Sequence, residues 1–125
     1  MEYKKSERWR LEGKQFNLEV KHWSKKDTNK WNIYLFLFPK FPRFEEFKEG
    51  LLTWLPIEFN WGNTYCSWNR DKNREITCKI YGSDYQHIHQ ERFEKYSTRA
   101  EAYEVFNDAE EYFKILKDWE KELKH

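Results

Sequence analysis

The stretch Trp31-Asn32-Ile33-Tyr34-Leu35-Phe36-Leu37-Phe38 carries apolar side chains at every position except Asn32. A strand with one wet face would alternate apolar and polar residues, so this run predicts a central strand that is covered on both faces of a sheet. Pro39 and Pro42 end the strand, because proline lacks the N–H donor that a ladder requires. The flanking sequence is therefore expected to supply neighbouring strands and their cover.

Two alternating runs precede this strand and predict a hairpin. Glu7 to Glu12 and Gln15 to Trp23 flank Gly13-Lys14, which is expected to form a two-residue turn. The second run places Phe16, Leu18, Val20 and His22 on one side and polar residues on the other. The pairs expected opposite each other are Leu11 with Phe16 and Trp9 with Leu18.

After the central strand, Arg43 to Lys48 predicts a short helix that ends at Gly50. Leu51 to Trp61 is mixed and predicts a further strand, because Leu55, Ile57, Phe59 and Trp61 alternate with Pro56, Glu58 and Asn60. Pro56 places that strand at an edge of the sheet or makes it begin there, since an interior strand would need the missing donor.

A second hairpin is predicted from Thr64 to Asn69 and from Glu75 to Gly82, around a charged loop. Symmetry about Lys72 sets Cys66 opposite Cys78 and Trp68 opposite Ile76. By the same alternation Tyr65, Lys79 and Tyr81 point to the other, more accessible side.

The C-terminal third predicts one long helix. Thr98 with Glu101 has the spacing of a capping box, and the helix is expected to run from Thr98 to near the C-terminus. Its apolar face consists of Ala102, Val105, Phe106, Ala109, Phe113, Leu116 and Trp119. We therefore predict a single α+β domain over residues 1–125, a mainly antiparallel sheet of five to six strands with this helix packed on one face.

Composition limits the classes of function. The 125 residues fit one domain, and 36% charged with 20% aromatic residues indicates a polar surface around an aromatic core. The 23 basic and 22 acidic residues nearly cancel, so no global field attracts nucleic acid or membrane. Two cysteines without an apolar leader predict reduced thiols in a cytoplasm, and no run is long enough to span a membrane.

Neither a metal site nor a catalytic site is complete in the sequence. Cys66, Cys78, His87 and His89 are zinc-ligand types, but zinc sites usually pair their ligands closely on turns, so we expect free thiols and no metal or other cofactor. Asp84, His87 and His89 could act as an acid–base group, although nothing in their spacing shows that they converge. A small hydrolase or metalloprotein is therefore the least favoured of three classes, and a non-enzymatic protein is expected.

Binding is favoured over catalysis. Surface aromatic residues could stack on the bases of nucleic acid or a nucleotide while nearby cations contact phosphates, but neighbouring acids dilute the positive charge. The cations are Arg70, Lys72, Arg74, Lys79 and Arg92. A protein partner requires less special chemistry, since interface hot spots favour Trp, Tyr and Arg. The predicted partner-binding residues are Tyr65, Tyr81, Asp84, Tyr85, His87, His89 and Arg92.

Four segments of the chain form a recognisable set: Trp31-Asn32-Ile33-Tyr34 with a following Pro-x-x-Pro-x-Phe, then Gly62-Asn63-Thr64-Tyr65-Cys66, then Ile80-Tyr81-Gly82-Ser83-Asp84-Tyr85-Gln86-His87, and an Ala-x-x-Val-Phe-x-Asp-Ala helix. Together they resemble a family of small bacteriophage and prophage proteins of uncharacterised function. The resemblance spans Phe16 to Leu116 and implies a phage gene product acting in the bacterial cytoplasm. It implies no catalytic residues.

Small phage proteins often bind and disable a host protein, so the expected function is inhibition of a bacterial anti-phage system such as a CRISPR nuclease complex. The expected partner is a host defence or regulatory protein. Self-association as a homodimer stays open.

Overall fold

A computed structural model of the chain, described over residues 7–52, 54–59, 62–86 and 90–122, contains one five-stranded antiparallel sheet. The strands lie in the order β1-β2-β3-β5-β4, so β3 is central and β1 and β4 are the edges. The elements are β1 (Glu7–Glu12), β2 (Phe16–Lys25), β3 (Thr28–Leu37), a 3₁₀ turn (Phe44–Glu46), β4 (Tyr65–Arg70), β5 (Ile76–Asp84), a second 3₁₀ turn (Glu91–Lys95) and the helix α1 (Tyr103–Glu120). This is the predicted single-domain α+β fold.

The core lies between one face of the sheet and a layer of helix and loops. α1 packs on β2 and β3, and the second 3₁₀ turn packs on β3. Aromatic rings fill the space: Phe106 of α1 meets Trp9 edge to face at 5.0 Å, and Phe113 lies 5.5 Å from Phe16. Phe16, the wholly buried member of these pairs, contributes about 1.5–3 kcal/mol.

The predicted central position of β3 is confirmed, whereas its predicted cover on both faces is wrong. Trp31, Ile33 and Leu35 are wholly buried against the core, but Tyr34 and Phe36 on the opposite side are only half-buried. We call that second side the open face. The long apolar run therefore contains two aromatic residues that stay partly in contact with solvent.

The first hairpin forms, but its predicted register is wrong by two residues. Leu11 pairs with Leu18 and Trp9 with Val20, and the turn residues are Lys14 and Gln15. The cause lies far along the chain: the buried carboxylate of Glu120, at the end of α1, accepts hydrogen bonds from the backbone N–H groups of both turn residues.

The second hairpin also forms in a different register. Cys66 pairs with Tyr81, Trp68 with Lys79 and Asn69 with Cys78, so the predicted pairing of the two cysteines is wrong. The register is displaced by an odd number of residues, which exchanges the faces of one strand relative to the other. Tyr81 and Lys79 therefore join Cys66 and Trp68 on the core side, where both are buried.

Local turn chemistry explains this second displacement. The carboxylate of Asp71 accepts hydrogen bonds from Asn73 N–H at 2.8 Å and Glu75 N–H at 3.0 Å. Arg74 has a positive φ of 68°, and the ladder is irregular between Asn69 and Arg70. The loop is thus an asymmetric turn with a bulge, not a loop symmetric about Lys72.

The segment between Phe38 and Thr64 differs most from expectation. The predicted helix at residues 43–48 is a single 3₁₀ turn, Phe44–Glu46. In the described part of residues 51–61 there is no strand, although the predicted alternation holds, because Leu55, Ile57 and Phe59 are all buried. These residues anchor an extended loop to the core without joining the sheet.

The helix prediction is confirmed except for its start. The Thr98 hydroxyl accepts a hydrogen bond from Glu101 N–H at 3.2 Å, and the Glu101 carboxylate accepts one from Thr98 N–H at 3.2 Å, as in a capping box. The hydrogen bonds from Ser97 and Thr98 hold the pKa of Glu101 below its ordinary value. This box closes a turn, and α1 begins only at Tyr103.

Candidate functional site: an exposed apolar loop beside an aromatic hairpin

Tyr81, a predicted partner-binding residue, lies wholly inside the protein. Its side chain is 0% exposed, its hydroxyl donates a hydrogen bond to the backbone carbonyl of Lys48 at 2.6 Å, and it accepts one from Trp68 Nε1 at 3.1 Å. Burial raises the pKa of the Tyr81 hydroxyl well above its ordinary value. The prediction that this side chain is accessible is wrong; it ties β5 to the loop after the first 3₁₀ turn.

Tyr85 is also buried. Its hydroxyl donates a 2.6 Å hydrogen bond to Asp108 of α1, and its backbone N–H donates to the carbonyl of Trp31. Burial, reinforced by the bond to Asp108, raises the pKa of the Tyr85 hydroxyl far above its ordinary value. Tyr85 thus connects the end of the sheet to the helix.

The other predicted residues lie nearer the surface. Tyr65 is 44% exposed, and its ring meets Tyr34 edge to face at 5.7 Å on the open face. Arg92 forms a two-pronged ion pair with Glu104, at 3.2 and 2.9 Å, and Asp84 accepts a hydrogen bond from Gln86 N–H at 3.3 Å.

His87 and His89 lie outside the described residues, so the predicted acid–base group is described only through Asp84. Cys66 and Cys78 point to opposite faces of their hairpin, so the two thiols cannot bind one metal ion. Over residues 7–52, 54–59, 62–86 and 90–122, no cluster of three His, Cys, Asp or Glu side chains could hold a metal, and no helix there is long and apolar enough to cross a membrane.

Lys79 is a buried cation that sequence alone did not indicate. Its ammonium donates to the backbone carbonyls of Phe44 at 2.7 Å and Phe47 at 2.9 Å, and lies 4.3 Å from the centre of the Trp68 ring. Burial lowers the pKa of Lys79. Because both carbonyls accept hydrogen bonds from this one ammonium group, Lys79 attaches the first 3₁₀ turn to the sheet.

His22 is the centre of a second polar cluster. Asn29 Nδ2 donates to the carbonyl of Glu94 at 3.0 Å, which directs Asn29 Oδ1 toward His22 Nε2 at 2.8 Å. His22 Nδ1 lies 3.1 Å from a carboxylate oxygen of Glu7. The ring also stacks on Trp31 at 4.3 Å, so His22 is held inside the fold by its contacts with Asn29, Glu7 and Trp31.

The accessible feature is a different one. Leu51, Leu52 and Trp54 are 61%, 72% and 69% exposed, three large apolar side chains within four positions. We call these three residues the apolar loop. Tyr103 on α1, at 59%, is an exposed aromatic residue on a different element.

The backbone of the apolar loop is held in place from within. Leu52 N–H donates to the carbonyl of Asn63 at 3.0 Å, and Asn63 Nδ2 donates to the carbonyl of Gly50 at 2.9 Å. Leu52 itself adopts φ 54°, a left-handed conformation that costs a side-chain-bearing residue about 1–2 kcal/mol. Such strain persists only where the surroundings fix the backbone.

A shallow cavity of about 270 Å³ opens beside the loop, lined by Trp54, Leu55, Ile57, Glu58, Phe59, Gly62 and Asn63. The loop lies beside the start of β4, since Gly50 N–H donates to Cys66 Sγ at 3.4 Å and Leu52 N–H donates to the carbonyl of Asn63, two residues before the strand. The sequence does contain a signal for the exposure of the apolar loop. Leu51 and Leu52 follow Gly50 and lie outside the alternation that begins at Leu55.

Together these features describe a small α+β protein in which the polar clusters of Lys79 and His22 hold the fold together, while Leu51, Leu52 and Trp54 are exposed. Comparison with protein families, with curated proteins and with solved structures finds no match to this chain.

Proposed function

We propose that this protein is a non-enzymatic interaction protein that binds a partner protein through the apolar loop. One observation carries the proposal: Leu51, Leu52 and Trp54 expose 61%, 72% and 69% of their surface on a fixed backbone. Contiguous apolar groups on a soluble surface mark interaction sites, and tryptophan is among the residues most enriched in hot spots.

The rigidity of the loop favours binding over mere exposure. Association costs free energy for every segment that must be ordered, and a loop fixed by the hydrogen bonds of Asn63 and by buried Leu55, Ile57 and Phe59 is already ordered. The left-handed backbone conformation of Leu52 is consistent with this role, because it is kept although its side chain points into solvent.

The predicted binding segment contributes to this surface in part. Tyr65 is exposed and lies two residues after Asn63, so it can extend the apolar loop along the sheet edge. Tyr81 supports the surface from inside through its hydrogen bond to the carbonyl of Lys48, whereas Tyr85 contacts α1. A role of Asp84, His87, His89 and Arg92 in the same contact stays a prediction.

We further propose that the partner belongs to a bacterial anti-phage system, such as a CRISPR nuclease complex, and that the protein is a phage-encoded inhibitor acting in the host cytoplasm. The resemblance to small phage proteins supports this step. A non-enzymatic inhibitor also agrees with the use of Lys79, His22 and Tyr85 in hydrogen bonds that hold the fold.

The test is phage plating on bacteria that carry a CRISPR nuclease system directed against the phage, with and without this protein. We expect the wild type to restore plaque formation and the double variant Leu52→Gly, Trp54→Ser to lose that effect. Loss of a hot spot should cost more than about 2 kcal/mol of binding to the purified nuclease complex. The matched control is Tyr103→Ala, which removes an equally exposed aromatic side chain from α1 and should retain activity.

Failure to restore plating against a panel of defence systems would refute the inhibitor function. A double variant as active as the wild type would instead leave inhibition intact and refute the role of the apolar loop.

Nucleic-acid binding is the second candidate, favoured by the open face. Tyr34 and Phe36 on β3 and Tyr65 on β4 lie on that face on either side of β5, with Arg8 and Lys21 nearby, and bases can stack on such rings. Retention on immobilised single-stranded DNA or RNA that weakens steeply with salt would support it. Retention independent of salt, or none, would exclude it.

A further inference from the structure

The two edges of the sheet differ in charge. β1 has the sequence Glu7-Arg8-Trp9-Arg10-Leu11-Glu12, with four charges in six residues, and β4 has Tyr65-Cys66-Ser67-Trp68-Asn69-Arg70, with one charge at its end. Natural proteins protect an exposed edge with charged side chains, because an unprotected edge pairs with other strands. By this criterion β1 is protected and β4 is not.

β4 offers a pairing surface along its whole length. It is hydrogen-bonded to β5 on one side, and no other described strand lies on its outer side. The outward N–H and C=O groups of an edge strand are a template for another strand. Tyr65, at 44% exposure, and exposed Asn69 and Arg70 mark its two ends.

A second copy of the chain fits this edge by symmetry. Two antiparallel strands in one continuous sheet are related by a two-fold axis perpendicular to the sheet, which keeps the two open faces on the same side. When the axis passes through Ser67, Ser67 meets its own counterpart and Tyr65 faces Asn69 of the other copy. This register pairs the full strand and opposes no like charges.

The same operation on β1 is unfavourable when the axis passes through Trp9, because it sets Arg8 against Arg10 twice. Arg8 and Arg10 already share one carboxylate, that of Glu19, at 3.8 and 2.9 Å. Like charges directly opposite each other destabilise a strand pair.

We infer that the protein forms a homodimer through antiparallel pairing of β4 with β4 of a second copy, centred on Ser67, which gives a continuous ten-stranded sheet. This inference does not depend on the proposed function, since it concerns the strand edge and a second copy rather than a host protein. It places the two apolar loops near opposite ends of the joined strands, because each loop lies beside the start of its own β4.

Crosslinking tests the register. In the proposed dimer the two Ser67 Cα atoms lie about 4.5–5.5 Å apart, within the range for a disulfide. Ser67→Cys should therefore give a disulfide-linked dimer under mild oxidation. Asn69→Cys is the matched control on the same strand and face: its two copies would be separated by about 13 Å along the strands and should stay unlinked.

Sedimentation equilibrium of the wild type tests the association itself. We expect a dimer at micromolar concentrations, and Ser67→Lys should weaken association at least about tenfold, because it sets two ammonium groups against each other. Unfolding at a single low concentration checks that Ser67→Lys leaves the fold intact. A wild type that stays monomeric at all concentrations, or equal crosslinking of the Ser67→Cys and Asn69→Cys variants, would overturn the inference.

Discussion

Two aromatic-rich regions of this protein use their side chains in opposite ways. In the hairpin β4–β5 and just after it, Tyr81 and Tyr85 point inward. Each hydroxyl donates a short hydrogen bond, to the carbonyl of Lys48 and to the carboxylate of Asp108 respectively. The side chains of the apolar loop, Leu51, Leu52 and Trp54, point into solvent, and Leu55, Ile57 and Phe59 after it are buried. An aromatic-rich segment is therefore not a binding surface by composition; the backbone decides which rings reach solvent.

The largest expected effect follows from deleting one aromatic ring in each region. Tyr81→Ala leaves a core cavity and removes the hydrogen bond to Lys48, so it should lower the free energy of unfolding by about 3–5 kcal/mol. Trp54→Ala removes a ring that is 69% exposed and should change the free energy of unfolding by less than about 0.5 kcal/mol. Urea denaturation of the two variants measures both. Equal losses would mean that the two regions do not differ as described.

An intermediate effect is expected for the Tyr85 hydroxyl. Tyr85→Phe removes a hydrogen bond to the carboxylate of Asp108 and should cost about 1.5–3 kcal/mol at pH 8. Because the pKa of Tyr85 is raised in the fold, the folded protein keeps this proton above the ordinary pKa of 10.0. The stability it contributes is complete below that pH and is lost as pH rises beyond it.

The wild type should therefore lose more stability than Tyr85→Phe between pH 8 and pH 11, measured by urea denaturation at each pH. Tyr103→Phe, which alters an exposed tyrosine, is the matched control and should follow the wild type. A variant whose stability falls with pH as steeply as that of the wild type would show that the Tyr85 proton is not held by the fold.

The smallest effect concerns the strained backbone of the apolar loop. Leu52→Gly relieves a left-handed conformation at φ 54° that glycine adopts freely, so it should leave the fold as stable as before or raise its stability by up to about 1 kcal/mol. The same variant should lose partner binding if Leu52 is a contact residue. Thermal unfolding measures the first effect, and a clear destabilisation would mean that Leu52 packs on the protein itself.

The pattern of apolar and polar side chains predicts much of the architecture. The apolar run from Trp31 identifies the central strand, the alternation from Phe16 identifies its neighbour, and the apolar face of residues 102–119 identifies the helix that covers them. These inferences succeed because burial of a periodic apolar face dominates the free energy of each element. The candidate site was much less predictable, since the same residue types fill cores and interfaces.

Registers and turns depended on interactions that a sequence pattern does not contain. Glu120 selects the turn at Lys14 and Gln15 from 105 or more positions away, and Asp71 organises the asymmetric loop that turns Tyr81 and Lys79 inward. A register shift by an odd number of residues is enough to move a residue from the predicted surface to the core. The alternation within Leu51 to Trp61 was likewise correct about which residues are buried and wrong about a strand.

The sequence by itself determined the fold class, the central strand, both hairpins and the covering helix, because hydrophobic periodicity acts locally and is repeated over many residues. Only the tertiary structure decided which aromatic rings face solvent, that Lys79 is a buried cation, and that Leu51, Leu52 and Trp54 form an outward loop next to an unprotected edge. The physical reason is that these features depend on a few specific hydrogen bonds, some between distant residues and some within a single turn. Such bonds leave no periodic signal in the chain.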